Sequence, residues 1–239
     1  MTRINELIIN GKSTADFSFD VYVTNNAGYN YAKKKNTLFE TTYGTGAIKN
    51  EINAYPPIEK SYTLYCPNAT LQDMREITTW ASDNGKLIAS DESDVFYEIL
   101  DVGITDAPLH EVTGYQVDII FTTMPFGYEL HEQVSSLTGG SVVVNHTNAP
   151  MYPRIDVFGT SASEVSIQIG SQVVKLRELN QKATIESKPL HQTVLDNTGR
   201  EKNSIMNGDF FEIKKGSTNI VTLSSGITKI EMTTRWAWL

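Results

Sequence analysis

The end of this chain alternates. Ile230, Met232, Thr234, Trp236 and Trp238 put larger or β-branched side chains on one parity, and Glu231, Thr233, Arg235 and Ala237 take the other. Successive side chains of an extended strand point to opposite faces, so the pattern predicts a sheet with one face buried and one wet. Two tryptophans so close to a terminus are out of character for a frayed tail, which is usually polar. The end is therefore expected inside a sandwich or against a partner. Upstream, residues 142–145, 154–158, 165–169, 172–177, 183–187, 194–196, 210–213 and 219–223 read as further short strands, with Gly159, Gly170, Gly199, Gly208, Gly216 and Gly226 between them. Short strands at regular spacing with turn residues between them predict an antiparallel β-sandwich. An all-β chain with little catalytic chemistry points to binding or assembly rather than to an enzyme.

The first half is less uniform. Phe17, Phe19, Val21 and Val23 alternate with polar neighbours and predict a strand over 17–24. Asn10-Gly11 behind Leu7-Ile8-Ile9 suits a turn with positive φ, which predicts a hairpin between those two segments. From about 25 to 60 the periodicity breaks up around Gly28, Gly44, Gly46 and Pro56-Pro57, and tyrosines crowd in. A stretch of that length without a core face is usually functional or partner-bound, and tyrosine combines large contact area with a polar end. It reads as an extended arm, with Tyr29, Tyr31, Tyr43, Ile48 and Tyr55 as candidate oligomer-interface residues. The competing reading is a long hairpin packed on its own domain. Lys33-Lys34-Lys35 reads as a solvated loop tip.

One helix is expected, over about 70–83. Thr70 followed by Asp73 resembles a capping box, and Leu71, Met74, Ile77, Thr78, Trp80 and Ala81 recur at helical spacing. Asn84-Gly85 closes it. Strands return at 95–101 and 115–123, the second interrupted at Pro125, which cannot donate to a ladder. A polar joint containing Thr138-Gly139-Gly140-Ser141 places a domain boundary between residues 134 and 135. The fold class expected is mainly β: an N-terminal β-sandwich or split-barrel-like domain with one helix and an arm, then an antiparallel β-sandwich.

Chemistry is sparse. His110, His131, His146 and His191 are too far apart for a local metal motif. Tyr43-Gly44-Thr45-Gly46 lacks the third glycine and following helix of a dinucleotide loop. Asp91-Glu92-Ser93-Asp94 lacks the spacing of a calcium loop. The single Cys66 excludes an intramolecular disulfide. No catalytic residue, cofactor or metal is predicted. A net charge of −8 argues against a general phosphate-backbone binder. No long apolar run predicts a signal peptide or a membrane span, so assembly in a cytoplasm is expected. One functional alternative has physical appeal, a carbohydrate site in which His146, Asn148 and Arg154 supply polar contacts and Trp236, with Trp238, an aromatic platform.

Several stretches together resemble the distal tail protein (Dit) family of long, non-contractile phage tails, over nearly the whole chain. Ile77-Thr78-Thr79-Trp80 with Gly85-Lys86-Leu87 is similar to the family's helix end and following turn. Phe96-Tyr97-Glu98 resembles the next strand. Phe121-Thr122-Thr123-Met124-Pro125-Phe126 resembles the close of its first domain, and Ala149-Pro150 with Ile155 and Val157 the start of its second. Gly208-Asp209-Phe210-Phe211, Gly216 to Ile220 and Arg235-Trp236 resemble its end. The resemblance implies a structural, non-enzymatic hub at the tail tip of the virion. It implies a homohexameric ring formed by the first domains with their arms, and galectin-like second domains facing outward. Implied partners are the tail tube protein, a tail-associated lysin or fibre hub, and receptor-binding or other baseplate proteins. DNA would be met only in transit through the channel, and no membrane insertion is implied.

Overall fold

A computed structural model describes residues 5–25, 27–28, 30–40, 47–52, 54–81, 84–105, 109–110 and 114–239. The protein is mainly β with one α-helix, and it divides into two compact units, 1–128 with Leu239, and Glu129–Trp238.

The first unit holds β1 (Leu7–Ile9), β2 (Lys12–Ser13), β3 (Tyr22–Val23), β4 (Asn36–Glu40), β5 (Ala47–Glu51), β6 (Ile58–Cys66), α1 (Leu71–Trp80), β7 (Gly85–Ala89), β8 (Val95–Ile104), β9 (Leu109–His110) and β10 (Gly114–Glu129). Its main sheet runs β2-β1-β7-β8-β10-β6-β3, with β9 also on β10. The Asn5 amide, just before β1, donates to the Val23 carbonyl of β3 at 3.2 Å, which ties the segment entering β1 to the far edge strand. Alternate residues of β6 and β10 face inward, and Tyr62, Leu64, Val117, Ile119 and Phe121 meet Leu7, Leu87 and Ile99 in one core. The helix covers this core with Met74, Ile77 and Trp80. Its start is the predicted one: Thr70 Oγ1 accepts from the Asp73 N–H, and Asp73 accepts from the Thr70 N–H at 2.7 Å. Leu71, expected on the buried stripe, is exposed in the first turn.

Three local expectations change. The turn at Asn10-Gly11 is present, with φ of 51° and 84°, but it pairs β1 with Lys12–Ser13 rather than with 17–24. The strand expected over 17–24 shrinks to β3, because Ser13 caps a one-turn 3-10 helix over Thr14–Asp16, and Phe17 and Phe19 then pack on each other at 5.1 Å. Phe17 meets Trp80 edge-on at 5.5 Å, so those aromatics alternate for packing against α1, not for a ladder. Finally, β10 runs straight through Pro125 to Glu129. Its ladder with β6 ends at Thr123, so the missing N–H of Pro125 costs that ladder nothing.

The second unit is two five-stranded antiparallel sheets. The strands of these sheets are β11 (Gln133–Leu137), β12 (Val142–Val144), β13 (Arg154–Ser161), β14 (Val165–Ile169), β15 (Gln172–Leu176), β16 (Leu179–Glu186), β17 (Thr193–Leu195), β18 (Met206–Asn207), β19 (Thr218–Leu223) and β20 (Ile227–Thr234), and the short β21 (Ala237–Trp238) follows outside both. One sheet runs β11-β20-β13-β16-β17 and the other β12-β19-β14-β15-β18. Ile155, Val157, Ile167, Ile169, Val174, Ile185, Val221, Ile230 and Met232 fill the space between them. The predicted alternation of burial holds through Trp236 and breaks at Ala237, although the strand β20 itself ends at Thr234. Trp236 and Ala237 are both buried. Residues 210–213 make no strand. Phe211 and Ile213 are buried, and a single bridge joins Ile213 to Met151. At Gly159 (φ 152°) the β13–β20 register shifts by a bulge, and a Cβ there would lie 2.0 Å from the Gly226 carbonyl oxygen.

Candidate assembly surface

Between β3 and β6, residues 30–40, 47–52 and 54–57 lie off the first unit's main sheet. Their root is held on their own chain: Ala32 is buried, the Asn30 side-chain amide donates to the Glu59 carbonyl at 3.0 Å, and the Tyr55 ring meets Phe126 edge-on at 5.2 Å. Beyond the root the segment is a hairpin. Lys35 N–H donates to the Ala54 carbonyl and Ile52 N–H to the Lys35 carbonyl, both at 2.9 Å. From there β4 and β5 pair in register from Asn36 opposite Glu51 to Glu40 opposite Ala47. The two strands form a sheet of their own, and among the described residues neither pairs with a third strand.

A two-stranded ribbon is marginal in water unless something covers it. This one carries large apolar groups with no home: Leu38 is 62% exposed, Phe39 54% and Ile52 50%. Leu38 and Phe39 are neighbours in one strand, so they project from opposite faces. Each face of the hairpin therefore carries a large apolar side chain exposed to water.

Of the five residues proposed for this surface, Tyr29 and Tyr43 lie outside the described residues. Ile48 sits on β5 opposite Phe39. Tyr31 is exposed, with the Lys33 ammonium 5.8 Å from its ring centre. Tyr55 is half-buried against Phe126. Leu38, Phe39 and Ile52 were missed. Their signal was a pair of adjacent apolar residues that no single buried face of a strand could absorb. The lysine run also falls elsewhere than expected, in the segment leading into β4 rather than at a loop tip.

The carbohydrate candidates separate. His146 and Trp236 come together, with ring centres 4.7 Å apart, and His146 Nε2 lies 3.6 Å from the Glu129 carboxylate. Trp236 is only 8% exposed and belongs to the sandwich core, so its face is not an open platform. Arg154 lies on β13 beside Asp156. Asn148 is exposed on the loop after β12. That loop is shaped by buried Asn145, whose amide donates to the Ala149 and Ile213 carbonyls and whose oxygen accepts from Thr147.

Three buried groups have chemistry but no access. Lys60 falls on the inward parity of β6 and is 1% exposed. It is paired with Glu92 and lies 4.1 Å from the Tyr97 ring centre. Burial first, then Asp91 and Glu92, push the neighbouring Tyr62 phenol far up, so it stays neutral. Burial likewise raises the Cys66 thiol to about 11, which leaves it a packing group rather than a nucleophile. Among the described residues, no cluster of metal-ligating side chains occurs and no helix is long and apolar enough to cross a membrane.

No protein-family model and no curated protein matches the chain. A solved structure does. The Dit protein of phage SPP1, described as a paradigm of the hub adsorption apparatus in phages infecting Gram-positive bacteria, superposes with a TM-score of 0.75. The match covers 99% of this chain and 100% of that one, at 15% identity. The fold is that of a distal tail protein. The match spans each unit, so the likeness drawn from scattered sequence stretches is met at the level of fold.

Proposed function

We propose that this chain is the hub subunit of a siphophage tail tip. In this reading the first domain (1–134) closes a homohexameric ring, and the second (135–239), a galectin-like sandwich, faces outward. The ring joins the tail tube to the tail-associated lysin or fibre hub and to receptor-binding or other baseplate proteins, and DNA crosses its channel at ejection. The role is structural, without catalysis, in the virion.

The observation that carries this is the β4–β5 hairpin, with apolar side chains exposed on both faces, on a fold shared end to end with a phage hub protein. A subunit in a closed ring makes heterologous contacts, so a patch on one copy must meet a different patch on the next. An arm that is finished only by a neighbour meets that requirement. The candidate interface residues Tyr29, Tyr31, Tyr43, Ile48 and Tyr55 lie on this arm or at its root.

The test is to remove the limb without disturbing its root. Residues 36–51 are excised and Lys35 is joined to Ile52, its hydrogen-bond partner, through an Asn-Gly turn. Light scattering of the intact chain is expected to give six subunit masses, with rings in negative stain, and the excised chain one folded subunit. An excised chain that still forms hexamers would overturn the arm reading. Glycan binding abolished by Trp236→Ala with the fold intact would favour the carbohydrate alternative.

A further inference from the structure

The charge of this chain is unevenly distributed. Residues 129–238 carry equal numbers of acidic and basic side chains, so the second unit is neutral and the whole net charge of −8 belongs to the first. Within the first unit the partition is sharper. The arm, 24–57, has Lys33, Lys34, Lys35 and Lys49 against Glu40 and Glu51, a net of +2. The remaining body, 1–23 and 58–128, has five basic residues against fifteen acidic ones, a net of −10. One of those five, Lys60, is buried on Glu92 and offers nothing at the surface. Lys33 and Lys35, by contrast, are exposed, on the same limb as Leu38 and Phe39.

Identical acidic bodies brought side by side repel one another, and in water that repulsion reaches about a Debye length, roughly 10 Å at 0.1 M salt. A ring of such bodies needs either a counterion or a cationic part of the neighbour at each junction. Resting on the arm reading above, we infer that the arm docks on the acidic first-unit body of a second copy, and that Lys33, Lys34 and Lys35 supply the opposite charge at each junction. The apolar tip provides area, and the lysines decide which surface of the neighbour the limb meets.

The experiment compares wild type with the neutralised variant Lys33→Gln/Lys34→Gln/Lys35→Gln and with the reversed variant Lys33→Glu/Lys34→Glu/Lys35→Glu. Assembly is followed by sedimentation at 0.05 M and 0.5 M salt, with circular dichroism to verify the fold. The neutralised variant is expected to assemble about tenfold more weakly than wild type at low salt and the reversed variant more weakly still. Both gaps should close at high salt as screening removes the term. Equal assembly of all three at low salt, or a gap that salt does not change, would overturn the inference. If the variants assemble normally but lose retention of a short DNA duplex, the lysines serve nucleic acid instead and the inference also fails. The excised-arm chain separates the two levels. Loss of rings on excision, without loss on neutralisation, removes the charge inference and leaves the arm reading standing.

Discussion

The double substitution Leu38→Thr/Phe39→Thr tests whether the arm is incomplete in the free subunit. Threonine keeps the strand preference of β4, so the hairpin itself is preserved. Fully burying a leucine or phenylalanine stabilises by about 1.5–3 kcal/mol. Here 62% of Leu38 and 54% of Phe39 remain exposed in the free chain. Covering that surface in a ring then contributes about 1–2 kcal/mol for each residue by the same scale, or about 2–4 kcal/mol for the pair. At 1.4 kcal/mol per tenfold, the dissociation constant of each junction should rise by roughly 30- to 1000-fold. Ordering costs at interfaces place the outcome towards the lower end. The isolated subunit should unfold as before, within about 0.5 kcal/mol, since both residues are more than half exposed in it. A dilution series in the analytical ultracentrifuge measures the first quantity and chemical denaturation of the dilute monomer the second. A monomer destabilised by 2 kcal/mol or more would mean that these side chains are packed within their own subunit. Unchanged assembly would mean that nothing covers them.

Three further outcomes follow from packing and charge. Glu92→Gln strands the buried Lys60 ammonium and should cost about 3–5 kcal/mol in urea unfolding, whereas Lys60→Met, which removes the charge as well, should be much milder. In the second unit, burial raises the Glu186 carboxyl, but the bidentate Arg235 guanidinium and the Lys188 N–H outweigh it and hold the group below its ordinary range. Burial of Asp156 is outweighed likewise by Thr184 and Lys182. Folded values below unfolded ones mean stability that is complete above the unfolded carboxylate range, near pH 4, and lost as pH falls through the folded values. The urea midpoint of this unit should therefore drop on going from about pH 5 to pH 3, with a shallower slope in Glu186→Gln. Gly159→Ala forces a methyl group against the Gly226 carbonyl at the bulge and should destabilise by about 1–3 kcal/mol in thermal unfolding.

Much of this architecture was legible because local rules and tertiary packing agree. The Thr70–Asp73 box starts α1 where expected, and the alternation of Ile230, Met232 and Thr234 lies on one buried face of β20. Where the two disagree, the sequence misled. Phe17 and Phe19 alternate like a strand but serve as an aromatic lid beside Trp80. The edge strand β11 went unseen, because its residues are almost all exposed and an edge without a buried face leaves no periodic trace. Pro125 read as an interruption, since the sequence does not reveal where a neighbouring ladder ends.

The amino-acid order alone determined the class: period-2 patterning, frequent turn glycines and one capped amphipathic segment commit the chain to β-sheets with a single helix, since these are local consequences of backbone geometry. It also determined the charge, +2 on the arm against −10 on the body it springs from. Only the tertiary structure decided which apolar residues find a core. Leu38 and Phe39 are as hydrophobic as Leu64 and Phe121, yet the latter pair is sealed inside the sheet and the former stands in water. Burial depends on what lies across the contact, which a chain read one residue at a time does not contain.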